Sequence, residues 1–288
     1  MFSRAFKGAA LALSLSVLAA PVAHAAPNFD PNKVPPRTQM TLRLDNGHTI
    51  STANGHESRP ALSLSKLYLG MWVMQHGAPG DKARVEQMIR YSDDNIATDL
   101  DRRYPQAIDS VARQYGLPNT HRNGFWGNST TSTQDVTKFI NAVYGDPAAA
   151  PLFRGMNNAA PVAADGYRQD FGTAHVPGVT GTKFGWADNR RVHATVSRGP
   201  GFSIAANTYG PAGAHTADVR GAVRPGAPSA PQVPGTSSQQ VGNQIKQVVP
   251  PQFHRQVDDA TNAAAQAERQ ACAAVNQALT QAGSSTVC

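Results

Sequence analysis

Cysteine is almost absent: the 288 residues contain two, Cys272 and Cys288, both in the C-terminal tail. In an exported chain they can close one short disulfide loop, and with no His at ligand spacing beside them they read as a structural staple rather than a metal site. Long apolar runs are also missing. The most apolar stretch, Ala9 to Ala20, is too short to span a bilayer, and nothing later in the chain is apolar enough to do so. Basic runs interleaved with aromatics do not occur, because the Lys and Arg residues are scattered, and this excludes a nucleic-acid module. His121 and His193 each lack a second His or carboxylate at ligand spacing, which assigns them surface or edge roles and leaves no metal site. There is no internal repeat.

What is present at the N-terminus reads as an export signal. Arg4 and Lys7 form a positive start, the short apolar run follows, and Ala23-His24-Ala25 supplies a small-x-small cleavage pattern. Residues 1–25 are therefore expected to be a signal peptide, and the mature product to be secreted or extracytoplasmic with no transmembrane segment. The chain carries a formal charge of +7, and cleavage would remove two positive charges and no acid. The remaining mild excess suits anionic wall polymers or lipids, and equally suits ordinary solubility.

The mature chain is long enough for one sizeable core with an appendage. Residues 26–37, rich in Pro and Asn, read as a flexible lead-in, and 38–220 as the main domain. Met40 to Leu44 alternates apolar and polar residues, Asp45-Asn46-Gly47 is a turn signal, and His48 to Thr52 continues as a second strand. From Ser63 the period becomes helical, ending near Gly77. Further helices are expected over 82–91, 95–103, 105–115 with Gly116 as stop, and 132–144 behind a Ser132 cap. Runs at 179–186, 191–197 and 202–209 read as an antiparallel meander. Strands, a block of helices and strands again predict an α+β domain, with one antiparallel sheet and helices packed on it. Residues 221–240, dominated by Pro, Gly, Ala and Ser, read as a linker, and 241–288 as a helical C-terminal tail.

Three short boxes carry chemistry. In Ser63-Leu64-Ser65-Lys66 a hydroxyl and an amine stand one helical turn apart, so a desolvated Lys66 with a lowered pKa could take the Ser63 proton. Taken alone the pattern also fits an ordinary helix cap. Tyr91-Ser92-Asp93-Asp94-Asn95 sets a hydroxyl and a side-chain amide on a turn between helices, able to relay a proton or simply to cap. Gly181-Thr182-Lys183-Phe184-Gly185-Trp186 sets a cation on a strand against which a substrate could lie, or a lysine that merely points to solvent. No G-x-S-x-G elbow appears, so the serine's context is the neighbouring lysine. Trp126, with Phe125 on a Gly-flanked loop, either flanks a cleft or covers the core.

The order of these boxes resembles that of the penicillin-recognising serine enzymes, the D,D-peptidases and class A β-lactamases, over roughly residues 41–209. The resemblance implies a β-lactamase or D,D-peptidase-like fold, with Ser63 as acylated nucleophile and Lys66 as its partner. It implies Ser92 and Asn95 for the second box and Lys183 for the third. The backbone N–H groups of Ser63 and Trp186 would form an oxyanion hole. Substrate would lie along the strand at Gly185 and Trp186. The implied partner is a peptidoglycan stem peptide or a β-lactam, with no cofactor. Two departures stand out. The second box has one residue more than S-x-N, so either Ser92 and Asn95 act across it or Asp93 takes the serine's place. The third has Phe184 where the family has a hydroxyl. Class A β-lactamases also need a Glu between the second and third boxes, and none occurs between Ser92 and Lys183. A peptidase is thereby favoured over a β-lactamase, beside the alternative of a degenerate wall- or partner-binding member.

Overall fold

The structure, a computed structural model, describes residues 26–226, 242–243, 245–246 and 250–281. The chain divides into two units, His24–Ser229 and a second made of Met1–Ala23 with Ala230–Cys288. The expected signal peptide, most of the linker and the Cys272–Cys288 pairing lie outside the described residues.

The first unit is built on a five-stranded antiparallel sheet. Its strands are β2 (Thr38–Leu44), β3 (Thr49–Ser51), β6 (Gly181–Trp186), β7 (Val192–Gly199) and β8 (Phe202–Tyr209), in the order β3-β2-β8-β7-β6. The hairpin and the meander read from alternation are both there, and β2 joins them by pairing Thr38 to Leu44 against Thr208 to Phe202. Because neighbours along a strand face opposite ways, the sheet separates two cores. Ala194, Val196 and Ala205 face the helical block, whereas Met40, Leu42, Ile204 and Ala206 face the other side with Val219 and Ala222.

The helical block comprises α1 (Ser65–His76), α2 (Pro79–Lys82), α3 (Val85–Arg90), α4 (Asp94–Arg103), α5 (Ala107–Tyr115), α6 (Thr133–Val143) and α7 (Ala150–Asn157). α1 is buried almost all round, from Ser65 to Met71 and again at Val73. Such a helix belongs to the interior, and it packs against α3, α4, α5 and α7. α5 stops at Gly116, which takes the left-handed φ of +61° expected of a C-terminal glycine. α6 starts behind Ser132, whose hydroxyl accepts from the Asp135 amide at 3.1 Å.

Two segments differ from expectation. Residues 26–37 do not form a loose lead-in. β1 (Asn28–Phe29) pairs with β9 (Val223–Arg224), Phe29 is buried in the second core, and a short 3-10 turn follows at Pro31–Lys33. The main unit thus extends past residue 220, through α8 (Ala212–Ala222) and β9. A last two-stranded pairing joins β4 (Arg59–Pro60) to β5 (Thr130–Thr131). In the second unit the described residues include a 28-residue helix, α9 (His254–Gln281), with an ion pair between Lys246 and Asp258. Among the described residues no helix is long and apolar enough to cross a membrane.

Candidate active site

Ser63 lies in a 3-10 turn, Leu62–Leu64, that runs directly into α1. The turn is reached through β4, and the Ala61 amide is tied to the Ser129 carbonyl at 2.8 Å. Leu62 holds a φ of +53°, unfavourable for a branched side chain, and Ser92 holds +50°. Strain of this kind persists only where surroundings enforce it, and it concentrates at working sites.

Lys66, one turn after Ser63, is fully buried, and its Nζ donates to Ser63 Oγ at 2.6 Å. Burial pulls the amine from its ordinary 10.5 down to about 8, although Asp94, with Asp93 and Asp165 more weakly, opposes the shift. The Asp94 contact is direct, Nζ to Oδ1 at 2.6 Å. Lys66 Nζ also stands 4.1 Å from the centroid of the Trp126 ring.

The third box closes on the second. Lys183 is opposite Val196 and Gly185 opposite Ala194, so both face the helical block. There Lys183 Nζ donates to Ser92 Oγ at 2.7 Å and to the Phe184 carbonyl at 3.0 Å. It too is fully buried, and burial together with the nearby Lys66 charge holds its pKa well below the usual lysine value. Gly185 permits the strand to lie against the Ser63 turn. A Cβ there would sit 3.0 Å from the Ser63 nitrogen and 2.9 Å from Leu62 Cβ, with no room for a side chain.

The other residues read from sequence fall differently. Asn95 is exposed, and the contact to Lys66 comes from Asp94. The physical reason is the helix start: Asp93 is the N-cap of α4, its carboxylate accepting from the Ile96 amide at 3.0 Å. That fixes Asp94 as the first helical residue, turned to Lys66, and carries Asn95 round to solvent. Spacing preserved by Ser92-x-Asp94 was a sequence signal for this arrangement. Phe184 and the Trp186 side chain lie on the opposite face of β6. Phe184 meets Phe171 edge-on at 5.1 Å, and the Trp186 indole stacks near Tyr167 and donates to Asp165 Oδ2 at 3.0 Å.

His193 is buried in the sheet interior, not at an edge. Its ring meets the Tyr167 hydroxyl at 2.9 Å and the Gly210 carbonyl at 2.8 Å. His121 is exposed and pairs through its backbone with Thr130. Among the described residues no group of three His, Cys, Asp or Glu is arranged to hold a metal. A hollow of about 720 Å³ beside α5, at residues 116–123, includes none of the box residues.

The backbone arrangement has counterparts among solved structures. The β-lactamase from Streptomyces albus G superposes with a TM-score of 0.53 at 17% identity, covering 64% of this chain and 92% of that one. The chain has the β-lactamase fold. A β-lactamase from Xanthomonas campestris pv. campestris is similar at a TM-score of 0.52 and 15% identity, covering 66% of this chain and 90% of its own. A halotolerant bacterial β-lactamase gives 0.51 at 14% identity, over 62% and 90% respectively. No family model and no curated protein matches the sequence. The likeness therefore lies in the fold.

Proposed function

We propose that this protein is an exported serine acyl-transfer hydrolase acting on cell-wall peptides, D,D-peptidase-like and penicillin-recognising. The observation that carries this reading is the pairing of two buried lysines with two buried serines, Lys66 with Ser63 and Lys183 with Ser92. Neutral Lys66 accepts the Ser63 proton while Ser63 Oγ bonds to the substrate carbonyl carbon. Backbone N–H groups of Ser63 and Trp186 receive the developing oxyanion. The C–N bond then breaks, and the leaving nitrogen takes a proton through Ser92, whose hydroxyl is polarised by Lys183.

A pKa of about 8 suits Lys66 to this role, because an appreciable neutral fraction exists near neutrality without loss of basicity. Acylation is then expected to rise with pH up to a plateau above about 8. Since no Glu stands between the second and third boxes, hydrolysis of a β-lactam acyl-enzyme is expected to be slow, and a peptidase is favoured over a β-lactamase. The physiological acyl donor in this reading is a peptidoglycan stem peptide, and a β-lactam is its mimic.

Labelling of the mature protein with a fluorescent penicillin tests this directly. The expected result is a stoichiometric adduct at Ser63, lost in Ser63→Ala. Absence of labelling from wild type would favour instead a wall- or partner-binding protein. That second reading draws on the altered boxes: a carboxylate, Asp94, stands beside Lys66 where the family has an amide, and Phe184 packs against Phe171 on the face of β6 away from Ser63. Repeated turnover of nitrocefin would favour a β-lactamase.

A further inference from the structure

We propose that Trp126 is a positioning residue that restricts access of water to Lys66, so that the penicilloyl group a β-lactam leaves on Ser63 is hydrolysed slowly. The inference rests on the acyl-transfer reading above and assigns a cause to the slow hydrolysis of that acyl-enzyme.

Three partners surround the Lys66 nitrogen: Ser63 Oγ at 2.6 Å, Asp94 Oδ1 at 2.6 Å and the Trp126 ring at 4.1 Å. An ammonium has three N–H groups, and these three neighbours account for them. In the neutral amine the lone pair faces the Ser63 hydroxyl while the other two partners remain. Neither state leaves a side of Lys66 for a water molecule. Hydrolysis needs one there. Water oxygen must bond to the acyl carbon and lose a proton to a base, after which the ester C–O bond breaks and Ser63 recovers a proton. Lys66 is the amine in contact with Ser63 Oγ, and the indole roofs it.

The ring is fixed by contacts that an ordinary core side chain does not need. Its Nε1–H donates to Thr98 Oγ1 at 3.0 Å, and its backbone amide donates to Asp101 Oδ2 at 3.3 Å. Asp101 is itself gripped by Arg122 through two bonds of 2.7 Å. Three residues along, the Ser129 carbonyl accepts from the Ala61 amide, two residues before the nucleophile. The roof and the nucleophile turn are thus one construction, and supporting bonds of this sort hold a site to its working geometry. Trp126 is 7% exposed and its remaining surface joins the helical core.

The test uses benzylpenicillin and intact-mass detection on the full mature chain, measuring adduct formation and adduct lifetime separately. Trp126→Ala is expected to shorten the lifetime at least tenfold, and Trp126→Phe, which restores a ring, to return most of it. Thr98→Val removes the indole's anchor without opening the core and is expected to fall between; it carries the test where Trp126→Ala does not fold. Hydration of Lys66 in Trp126→Ala would also relieve the burial that lowers its pKa, so the acylation limb moves to higher pH, a shift that loose packing elsewhere would not cause. A wild-type adduct whose lifetime is the same in Trp126→Ala or Thr98→Val overturns the role of Trp126 and leaves the acyl-transfer reading standing. No adduct in wild type overturns both.

Discussion

Two of the buried polar networks in this domain are built on opposite terms. On the outer face of the sheet, His215 is fully buried between Thr195 Oγ1 at 2.9 Å and Thr208 Oγ1 at 2.7 Å. From Thr208 the chain continues to Thr38 at 2.7 Å, then to Asp218 at 2.6 Å, which Arg37 holds with two bonds. Burial lowers the His215 pKa to about 3, so the ring is neutral across the physiological range and its two nitrogens are both engaged. This network fixes α8 to the sheet and has no free chemistry. On the inner face, the Ser63–Lys66–Asp94 and Ser92–Lys183 contacts enclose two amines that burial depresses without neutralising Lys66. Leu62 and Ser92 sit there at positive φ. A satisfied network adds stability; one that holds an amine near its titration point and strains its backbone gives stability up for reactivity.

The comparison breaks most sharply at Lys66. Lys66→Met is expected to reduce the acylation rate by at least ~10³, since the nucleophile loses its base. The same change should make the protein more stable at neutral pH. Depression of the amine from 10.5 to about 8 corresponds to roughly 3 kcal/mol of opposed charging, and methionine removes that cost. Between pH 8 and 10.5 the unfolded wild type binds the proton that the folded state has lost, so wild-type stability climbs with pH in that window. Lys66→Met should lack that climb. Chemical denaturation at pH 7 and pH 10 reads both effects, and a variant less stable than wild type at pH 7 would contradict the contrast.

His215→Leu is the converse. It removes one hydrogen-bond partner from each of the Thr195 and Thr208 hydroxyls, which keep the Thr173 amide and the Thr38 hydroxyl, at an expected cost of about 1–3 kcal/mol. The acylation rate of the folded fraction should stay within about twofold of wild type, because no box residue touches the ring. A rate loss exceeding the loss of folded protein would mean that the outer network also serves the site.

Much of this was legible in the chain. The meander was readable because alternation continues through Asp188-Asn189 and Gly199-Pro200-Gly201, residues that turn readily, and the start of α6 because Ser132 caps it. Ser63 and Lys66 are readable at one turn's spacing. Their environment was not. The Lys183–Ser92 contact joins residues 91 apart, and only the closed sheet brings them together. α7 and α8 are not legible in the sequence because Pro151, Gly155, Gly213 and Gly221 weaken the helical signal that tertiary packing restores. β1 is two residues whose partners lie near residue 223. Trp126 sits on a loop with no period to reveal its face. At the second box, identity favoured Asn95 whereas the Asp93 cap decided for Asp94.

Asp94 gives the smallest expected effect and the finest test of how the inner network is tuned. Its side chain is 61% exposed while its partner is fully buried, so as a stabilising ion pair it is worth less than about 1 kcal/mol. Its influence falls on Lys66, whose protonated form it favours against the pull of burial. Asp94→Asn removes that influence, and burial then carries the amine below 8. The neutral fraction at pH 7 grows, so acylation there should rise about two- to tenfold. At pH 9, where wild-type Lys66 is already mostly neutral, the two proteins should differ little. The measurement is the acylation rate against benzylpenicillin from pH 6 to pH 9.5. A limb displaced upward, or one unmoved, would mean that Asp94 does not act through the charge on Lys66.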